Sequence, residues 1–452
     1  MSNIFKAYDI RGIYGTELTE DIAYKTARAF AQMRQKELQK EKIIIVAGRD
    51  MRLSSPGLSE ALIRGLIDQG ADVIDIGLAS TPTFYFAVCE LKADGGMIIS
   101  ASHNPKEYNG IKITRESAVP FGAGCGMEEL QSEVENFTAV EPAEKGIIKK
   151  YDGITDEQVK YEEQGIDLSK IKKFKIVVDT ANAMGADYLE KLFADLPQVE
   201  LIKMNFALDG TFPAHQADPF QEENTADLKK RVLAEGADLG IATDGDGDRI
   251  FFIDNEGSML EPAILRGIMA KIFLRDNPGA TVCYDIRPGK ITEDMIRENG
   301  GIPSVTRVGH SLIKKQMIET SAVFGGESSG HFFVKFPHGV YEAPMVVIMK
   351  LLLELSETNL SLADYARPLK KYFHSGEINF KGADKEKVFT RLKEKFSDAE
   401  INDLDGLTFT YPDFWFNVRG SNTESLVRLN LEARSEAVMK EKTDEVSSII
   451  RE

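Results

Sequence analysis

The chain has 452 residues, which at roughly 150 residues per domain indicates three domains, or four if they are small. Its 72 acidic and 55 basic side chains leave a net charge of −17, which argues against a nucleic-acid-binding or anionic-membrane-binding surface. The 3 cysteines lack the spacing of a zinc site or a redox pair, and no apolar run is typical of a signal peptide or a transmembrane helix. We therefore expect a cytoplasmic protein of a reducing compartment, with no nucleic-acid or membrane partner.

Three segments of the chain repeat one pattern, in which a short apolar run, a loop with an acidic residue, a helix and a second apolar run follow one another. This change from strand spacing to helix spacing and back is typical of a βαβ unit. The predicted strands are 43–47 and 73–76, 174–179 and 199–203, and 281–285 with a strand around Val305. The repeats predict an α/β protein in which three related α/β domains have mixed sheets.

The last part of the chain has a different pattern. A charged helix over 384–396 precedes strands over 407–410, 414–418 and 425–431, with no crossover helix between these strands, and a terminal helix follows. Neighbouring strands of this kind predict a smaller C-terminal α+β domain. The four predicted domains are 1–145, 146–254, 255–367 and 368–452.

An acidic loop follows the predicted strand 239–242. Asp244, Asp246 and Asp248 alternate with two glycines and precede Arg249. Three carboxylates this close repel one another, whereas a glycine-rich backbone can bring their oxygens onto one hard cation such as Mg²⁺. A calcium EF-hand does not fit, because Arg249 stands where its loop requires glycine. The remaining alternative is a solvated acidic turn without a ligand.

A second candidate loop contains Ser100, Ser102 and His103, followed by Asn-Pro. It lies between two predicted strands, the second of which is preceded by a hairpin turn predicted at Asn109 and Gly110. A serine on such a loop is accessible, and His103 could position a phosphate or move a proton. The same residues are also typical of a simple turn, since Ser and Asn side chains hydrogen-bond to their own backbone.

The segment 326–331 matches the Gly-x-Ser-x-Gly pattern of a serine hydrolase, with Ser328 as the candidate nucleophile. Such an elbow requires a helix after the serine, whereas the residues from His331 onward have the pattern of a strand. The tight glycine turns could instead present Glu327, Ser329 and His331 to sugar hydroxyls.

Near the C-terminus, a loop offers arginines, hydroxyls and turn backbone N–H groups that suit a phosphate dianion. Its residues are Arg419, Ser421, Asn422, Thr423 and, further on, Arg428. No Walker or dinucleotide-binding glycine pattern is present, so a nucleotide cofactor is not indicated. His310, which we expect at the end of a strand, could also reach a ligand.

With these four motifs in this order, the sequence closely resembles the α-D-phosphohexomutases, and specifically their bacterial phosphomannomutase/phosphoglucomutase branch. The resemblance covers essentially the whole chain, including the opening segment 5–12. Members carry a phosphoserine loop, an aspartate-rich magnesium loop, a Gly-Glu-x-Ser-Gly-His sugar loop and a C-terminal phosphate loop, all of which are matched here. Ser100 stands where threonine is common, and Ser328 where dual-specificity members often have methionine, which leaves the preference between mannose and glucose open.

The resemblance implies a fold around a central cleft and an intramolecular phosphotransferase that interconverts hexose 1-phosphate and hexose 6-phosphate of mannose or glucose. A phosphorylated Ser102 would donate its phosphoryl group, giving a hexose 1,6-bisphosphate that reorients and returns its other phosphoryl group. The implied cofactors are Mg²⁺ and the bisphosphate, as activator and intermediate, and the implied partners are small-molecule sugar phosphates. A phosphoglucosamine mutase or phosphopentomutase of the same family, a metal-dependent phosphatase and a non-catalytic sugar-phosphate binder remain alternatives, and the oligomeric state is open.

The resemblance also implies roles for individual residues. The implied metal ligands are phosphorylated Ser102, Asp244, Asp246 and Asp248. The implied catalytic residues are Ser102, His103, Lys112, Arg11, Arg249 and His331, with Lys112 and His331 as candidates for proton transfer. The implied substrate-binding residues are Tyr8, Arg287, His310, Glu327, Ser329 and His331, together with Arg419, Ser421, Asn422, Thr423 and Arg428 for the non-reacting phosphate.

Overall fold

The computed structural model describes residues 4–138, 142–287, 289–420 and 426–451. The contacts between residues divide the chain into two compact units, of which the first contains residues 1–260 and 329–363 and the second contains residues 261–328 and 364–452. The predicted phosphate-loop residues Ser421, Asn422 and Thr423 lie outside the described residues. The boundaries of the four predicted domains remain a prediction.

The first α/β segment is built on a six-stranded mixed sheet. Its strands are β1 (Ile10–Ile13), β2 (Ile44–Arg49), β3 (Asp72–Leu78), β4 (Gly95–Ile99), β5 (Tyr108–Arg115) and β6 (Ile148–Lys150), in the order β1-β5-β4-β2-β3-β6. Strands β2, β3, β4 and β6 are parallel, and β5 pairs antiparallel with β4 and β1. The helices are α1 (Glu20–Leu38), α2 (Ser55–Asp68), α3 (Thr81–Glu90) and α4 (Met127–Glu135).

Side chains from α1, α2 and this sheet form one apolar core, in which Phe30, Leu62 and Ile45 are fully buried. Each such side chain contributes about 1.5 to 3 kcal/mol by leaving water. Polar caps fix where two of the helices begin, since the side chain of Thr19 accepts from the Ile22 backbone N–H and that of Ser80 accepts from Thr83. The cap at Ser80 sets the start of α3, which faces the candidate site.

The second α/β segment has a four-stranded sheet in the order β10-β9-β7-β8. Its strands are β7 (Phe174–Asp179), β8 (Val199–Met204), β9 (Leu239–Thr243) and β10 (Ile250–Asp254), and its helices are α5 (Ile154–Glu162), α6 (Gly185–Ala194) and α7 (Glu222–Glu235). All five residues of β9 are buried, as expected for a strand that is covered on both faces. This strand ends directly before the acidic loop.

The second unit begins with α8 (Pro262–Asp276), β11 (Thr281–Asp285), α9 (Lys290–Glu298), β12 (Ile302–Thr306), α10 (His310–Thr320) and β13 (Phe324–Gly326). Strand β11 pairs in parallel with both β12 and β13. The chain then returns to the first unit with the antiparallel hairpin β14 (Phe332–Phe336) and β15 (Gly339–Glu342), followed by α11 (Pro344–Thr358).

The C-terminal part of the second unit is an antiparallel sheet with two helices beside it. Helix α12 (Leu362–Ala366) begins in the last residues of the first unit and ends in the second. The elements that follow it are β16 (Phe373–His374), β17 (Ile378–Lys381), α13 (Lys385–Lys395), β18 (Glu400–Asn402), β19 (Leu407–Thr410), β20 (Phe414–Gly420), β21 (Leu426–Ala433) and α14 (Glu436–Arg451). The strand order is β16-β21-β20-β19-β18, and β17 also pairs with β21. Short 3₁₀ turns elsewhere cover Glu116–Ala118, Leu168–Lys170 and Arg367–Leu369.

The predicted fold class is confirmed. The three βαβ repeats are β2-α2-β3, β7-α6-β8 and β11-α9-β12, and each pair of strands is parallel. The C-terminal strands neighbour one another without crossover helices, as the pattern of adjacent strands predicted.

Two local predictions were wrong. Asn109 and Gly110 lie inside β5, opposite Gly12 and Arg11 of β1, and do not form a hairpin turn. The Asn109 side chain donates to the hydroxyls of Ser54 and Ser55 at 2.7 and 3.0 Å, so it stabilises an extended strand rather than a turn. His310 does not end a strand, because β12 ends at Thr306 and His310 is the first residue of α10.

Candidate active site

The loop between β4 and β5 presents Ser102, whose side chain is only 1% exposed. Its hydroxyl donates to Asp244 Oδ2 at 2.7 Å and lies 3.1 Å from Nδ1 of His103. The backbone of Ser102 has a φ of 49°, in the left-handed region that is unfavourable for a residue with a side chain. A strained, buried serine beside a carboxylate is typical of a functional site rather than of a simple turn.

The acidic loop between β9 and β10 lies against this serine. A Cβ atom at Gly245 would stand 2.2 Å from the carbonyl oxygen of Ser102, so only glycine permits this approach. Gly247 has a φ of 73°, which lets the chain turn back between two of the aspartates. The glycines therefore let the three carboxylates converge, as the sequence predicted.

The three carboxylates of this loop meet the requirements of a cation site. Ligand oxygens of Asp244, Asp246 and Asp248 lie within 4.8 Å of one another, and all three side chains are buried. Burial, together with the negative charges of Asp246 and Asp248, raises the pKa of Asp244 well above its usual range. One oxygen each of Asp246 and Asp248 is buried without a hydrogen-bond partner. A divalent cation would satisfy these oxygens and offset the repulsion.

The aspartates also hold neighbouring groups. Lys112, on β5, places its ammonium 2.6 Å from Asp246 and 2.5 Å from Asp248. Burial opposes its charge, but these two carboxylates outweigh burial and raise the pKa of Lys112 well above its usual value. Thr81, at the start of α3, donates its hydroxyl to Asp246 Oδ2 at 2.6 Å. Lys112 is therefore a cation at neutral pH, held by the same acidic loop that Ser102 contacts through Asp244.

Two further side chains complete the surroundings of Ser102. Arg11, on β1, donates to Asp9 Oδ2 at 2.9 Å and to Asn104 Oδ1 at 2.5 Å, which ties β1 to the serine loop. Burial, and then the positive charges of Arg249 and Arg11, lower the pKa of His103 well below its usual value. His103 is therefore neutral at pH 7.

Arg249 follows the acidic loop and contacts the histidine of the third motif. Its Nε donates to Nε2 of His331 at 3.1 Å, so this imidazole nitrogen carries the lone pair. The other nitrogen of His331, Nδ1, lies 3.5 Å from Asp248 and 3.9 Å from Glu342, and both acids are buried. The first unit thus brings together the predicted catalytic residues, which are Arg11, Ser102, His103, Lys112, Arg249 and His331.

In the second unit, Asp285 binds the first half of the predicted sugar loop, the segment 326–331. This buried carboxylate at the end of β11 accepts from Arg287 Nε at 2.7 Å, from Arg266 at 2.7 Å and from the Ser328 backbone N–H at 3.0 Å. Burial opposes its charge, but Arg287 and Arg266 outweigh it and lower the pKa of Asp285 to about 2. Arg287, which sequence analysis placed in the sugar site, is therefore held by a permanently charged acid.

The hydroxyl of Ser328 donates to Asp285 at 2.9 Å and accepts from Arg266 at 3.1 Å. The residues after the loop form β14 rather than a helix. Both observations disfavour a nucleophile elbow at Ser328, because the hydroxyl donates to an acid rather than to a histidine and a strand, not a helix, follows the loop.

Glu327 connects the sugar loop to α10. Its Oε1 accepts the backbone N–H of Gly309 at 2.9 Å and lies 3.8 Å from Arg287. Gly309 precedes His310, the first residue of α10, so Arg287, Glu327 and His310 belong to one region of the second unit. Tyr8 and Ser329 lie in the first unit, Tyr8 half-buried in the turn before β1.

Arg419 and Arg428 stand directly opposite each other on β20 and β21. Like charges in such a pair repel, but Glu377 accepts from Arg419 at 2.6 Å and lies 3.1 Å from Arg428. Burial opposes the charge of Glu377, and these two arginines, followed by Arg287, outweigh burial and lower its pKa. The two arginines therefore bind one anion together, which in this structure is the carboxylate of Glu377.

Sequence analysis missed the residues that hold these groups in place, namely Asp285, Glu377 and Thr81. Asp285 could have been predicted from the sequence, since it is the last residue of a predicted parallel strand, and Asp244 likewise follows closely after a predicted strand. Glu377 and Thr81 lie in segments without a motif, and only the pairing of strands and helices brings them to the site.

Among the described residues, no helix has the length and apolarity needed to cross a bilayer.

Comparisons with known proteins relate the whole chain to one family. Four family descriptions match in order along the chain: phosphoglucomutase/phosphomannomutase alpha/beta/alpha domain I over residues 2–139, domain II over 154–257, domain III over 262–372 and the C-terminal domain over 377–449. A phosphomannomutase of Methanocaldococcus jannaschii is 38% identical over 469 residues, covering 99% of this chain and 97% of that protein.

Solved structures show the same relationship. The crystal structure of a phosphoglucomutase/phosphomannomutase family protein from Burkholderia thailandensis has a TM-score of 0.89 at 32% identity, covering 99% of this chain and 97% of the other. The Aspergillus fumigatus N-acetylphosphoglucosamine mutase, solved with glucose 1,6-bisphosphate, shares the fold with a TM-score of 0.60 at 13% identity, covering 100% of this chain and 95% of the other.

The fold and the site define a metal-dependent class of sugar-phosphate enzymes with three α/β domains and a C-terminal domain. Since all four domain descriptions match and relatives of 38% identity align over nearly the whole length, the chain belongs to the phosphoglucomutase/phosphomannomutase family. It is an enzyme, a phosphotransferase of the mutase type.

Proposed function

We propose that the protein interconverts hexose 1-phosphate and hexose 6-phosphate, of mannose, glucose or both, through a phosphorylated Ser102. The observation that carries this proposal is the position of Ser102, whose hydroxyl lies 2.7 Å from Asp244 beside the buried aspartate loop and close to the charged Lys112. A nucleophile in such surroundings can take up and release a phosphoryl group, because the charge that develops is met by fixed groups.

The proposed cofactor is Mg²⁺, held by Asp244, Asp246, Asp248 and the phosphate on Ser102. Its carboxylate-rich donor set and the two unpartnered buried oxygens support a hard divalent cation. When bound, Mg²⁺ supplies positive charge that stabilises the transferring phosphoryl group.

The chain's own residues would then perform the transfer. Arg11, Lys112 and Arg249 hold the oxygens of the phosphoryl group while the bond from phosphorus to the Ser102 oxygen breaks and a bond to the sugar hydroxyl forms. The proton of that hydroxyl passes to a neighbouring base, for which His331 is suited because its Nε2 carries a lone pair. Neutral His103 lies beside the Ser102 hydroxyl and positions it.

The second unit would bind the rest of the substrate. In this unit, Arg287, His310 and Glu327 would contact the sugar hydroxyls. Tyr8 and Ser329, in the first unit, remain predicted substrate-binding residues. The non-reacting phosphate is held by Arg419, Ser421, Asn422, Thr423 and Arg428. A hexose 1,6-bisphosphate would form, reorient, and return its second phosphoryl group to Ser102; the bisphosphate bound to the Aspergillus fumigatus enzyme supports this intermediate.

The test combines mass and activity. A fraction of the purified protein should carry one phosphoryl group at Ser102, and mannose 1-phosphate or glucose 1-phosphate should yield the 6-phosphate in a coupled assay. Ser102→Ala should lose the added mass and at least about 100-fold of the rate, whereas Ser100→Ala should keep the phosphate. Phosphate mapped to another serine, or net release of inorganic phosphate from the substrate, would falsify the assignment.

A further inference from the structure

One guanidinium group holds the whole backbone of the Ser102 loop. Arg52, whose side chain is fully buried, lies in the loop between β2 and α2. Its NH2 donates to the carbonyl oxygens of Ser102 at 2.8 Å and Asn104 at 2.6 Å. Its NH1 donates to those of Pro105 at 2.8 Å and Tyr108 at 3.1 Å. Three carbonyl groups of one irregular loop and that of the first residue of β5 thus converge on a single side chain.

The guanidinium is itself fixed from two sides. Its Nε lies 3.3 Å from Asp50 Oδ2, and the Asp50 carboxylate also accepts from the Ser55 hydroxyl and from the backbone N–H of Arg52. The ring of Phe212, from the segment between β8 and α7, lies 5.0 Å from the guanidinium carbon. The ion pair with Asp50 and the contact with the Phe212 ring add to the four hydrogen bonds and restrict the orientation of the guanidinium group.

The carbonyl of Ser102 is the critical acceptor. It lies between Arg52 and the glycine of the acidic loop, where a Cβ atom at Gly245 would approach it to 2.2 Å. The φ of 49° at Ser102 lies in the left-handed region, which is unfavourable for a residue with a side chain. A fixed hydrogen bond to the carbonyl stabilises the strained conformation that directs the hydroxyl at Asp244.

We propose that Arg52 is a positioning residue for the nucleophile: by binding four carbonyl groups, it holds Ser102 in the orientation from which phosphoryl transfer occurs. The proposal rests on the proposed role of Ser102. Arg52 binds the backbone carbonyls of the loop and not the Ser102 hydroxyl, so its loss should change the rate of transfer much more than the binding of the sugar phosphate.

The test uses Arg52→Lys, which keeps the charge for Asp50 but cannot donate to four carbonyls at once. In single-turnover transfer from the phosphorylated enzyme to mannose 1-phosphate or glucose 1-phosphate, the maximal rate should fall at least about 10-fold. The substrate concentration for half-maximal rate should change by less than about 3-fold. Rates are normalised to the phosphorylated fraction from intact mass, so a loss of folded protein cannot imitate the effect.

Arg49→Lys is the matched control, because Arg49 lies in the same segment and donates only to the Asp50 carbonyl at 3.4 Å. It should keep the wild-type rate. If Arg52→Lys does not fold, Phe212→Leu provides the test, since it removes the aromatic ring but leaves the ion pair between Arg52 and Asp50. This variant should lower the maximal transfer rate about 2- to 5-fold, with the substrate concentration for half-maximal rate unchanged. Wild-type rates in the folded variants overturn the proposal, whereas absence of phosphoserine in the wild type contradicts the proposed function itself.

Discussion

Among single residues, Asp246 is the one whose contacts bear most directly on the proposed metal site. Its Oδ2 is engaged by Thr81 and Lys112, whereas its Oδ1 is buried without a partner. Asp246→Asn keeps the shape and the acceptor for Thr81 but removes one charge from the site. We expect the Mg²⁺ concentration for half-maximal activity to rise at least about 10-fold, while the fold is retained, because hard cations prefer charged oxygen ligands.

The measurement is a Mg²⁺ titration after treatment with EDTA, which should abolish wild-type activity reversibly. Asp227→Asn is the control, since Asp227 is 77% exposed on α7 and pairs only with Lys230. Activity that persists in EDTA would show that the aspartate loop does not hold an essential metal.

Ser328 provides a second test at this scale. Its hydroxyl joins Asp285 to Arg266, and its backbone N–H also binds Asp285, so it fixes the sugar loop. Ser328→Ala removes two hydrogen bonds of about 1 kcal/mol each. We therefore expect KM for the hexose monophosphate to rise about 3- to 30-fold, with Ser102 still phosphorylated.

The measurement compares KM with the extent of Ser102 phosphorylation, using Ser448→Ala on the exposed face of α14 as the control. Complete loss of turnover in Ser328→Ala, together with labelling of wild-type Ser328 by a fluorophosphonate, would instead support a serine hydrolase.

At the scale of elements, α5 carries a buried acid that the site does not use. Glu162 accepts from Gln158 at 2.8 Å, and burial raises its pKa to about 8, from an ordinary value of 4.5. As the pH rises above 4.5, the unfolded chain releases this proton while the folded chain keeps it until about pH 8. The contribution of Glu162 to stability therefore falls with rising pH over this range.

Glu162→Gln cannot titrate and should raise the free energy of unfolding by up to about 3 kcal/mol at neutral pH, with the gain vanishing near about pH 4. Urea unfolding at several pH values measures this difference. Glu200→Gln, on an exposed position of β8, should change the free energy by less than about 1 kcal/mol at any pH. A gain that does not depend on pH would mean that Glu162 is already ionised in the folded protein.

The elements also show what the sequence could predict. Buried strands such as β9 and β11 have continuous apolar runs, so their positions and the acids at their ends were predictable. The turn predicted at Asn109 and Gly110 was wrong because the Asn109 amide binds two serines at the start of α2, which overrides the local turn signal. Arg52 and Glu377 had no signal at all, since their partners are distant in sequence and meet only through the fold.

At the scale of the whole molecule, the proposed function requires two separate phosphate sites, one at Ser102 in the first unit and one at Arg419 in the second. Arg419→Ala should raise KM for hexose monophosphates about 10- to 1,000-fold, since a charge-assisted hydrogen bond contributes about 1.5 to 3 kcal/mol. Phosphorylation of Ser102 by hexose 1,6-bisphosphate should still occur, because Arg419 is remote from it in the sequence and lies in the other unit.

Steady-state kinetics with monophosphates and intact mass after incubation with bisphosphate measure the two effects. Arg231→Ala, on an exposed position of α7, controls for the loss of one surface arginine. Wild-type kinetics in Arg419→Ala with both ligands would show that the C-terminal arginines do not bind the second phosphate.

The carboxylate of Glu377 forms ion pairs with both Arg419 and Arg428 without any ligand. Under the proposed function, a phosphate that enters this site would displace the Glu377 carboxylate, so one anion would be exchanged for another, and the carboxylate would return when the phosphate leaves. An exchange of this kind weakens the net affinity and shortens the lifetime of the bound phosphate. In the proposed mechanism, the bisphosphate intermediate must leave this site, reverse its orientation and bind again through its other phosphate. A site that releases phosphate readily would then be an advantage over one that binds it tightly.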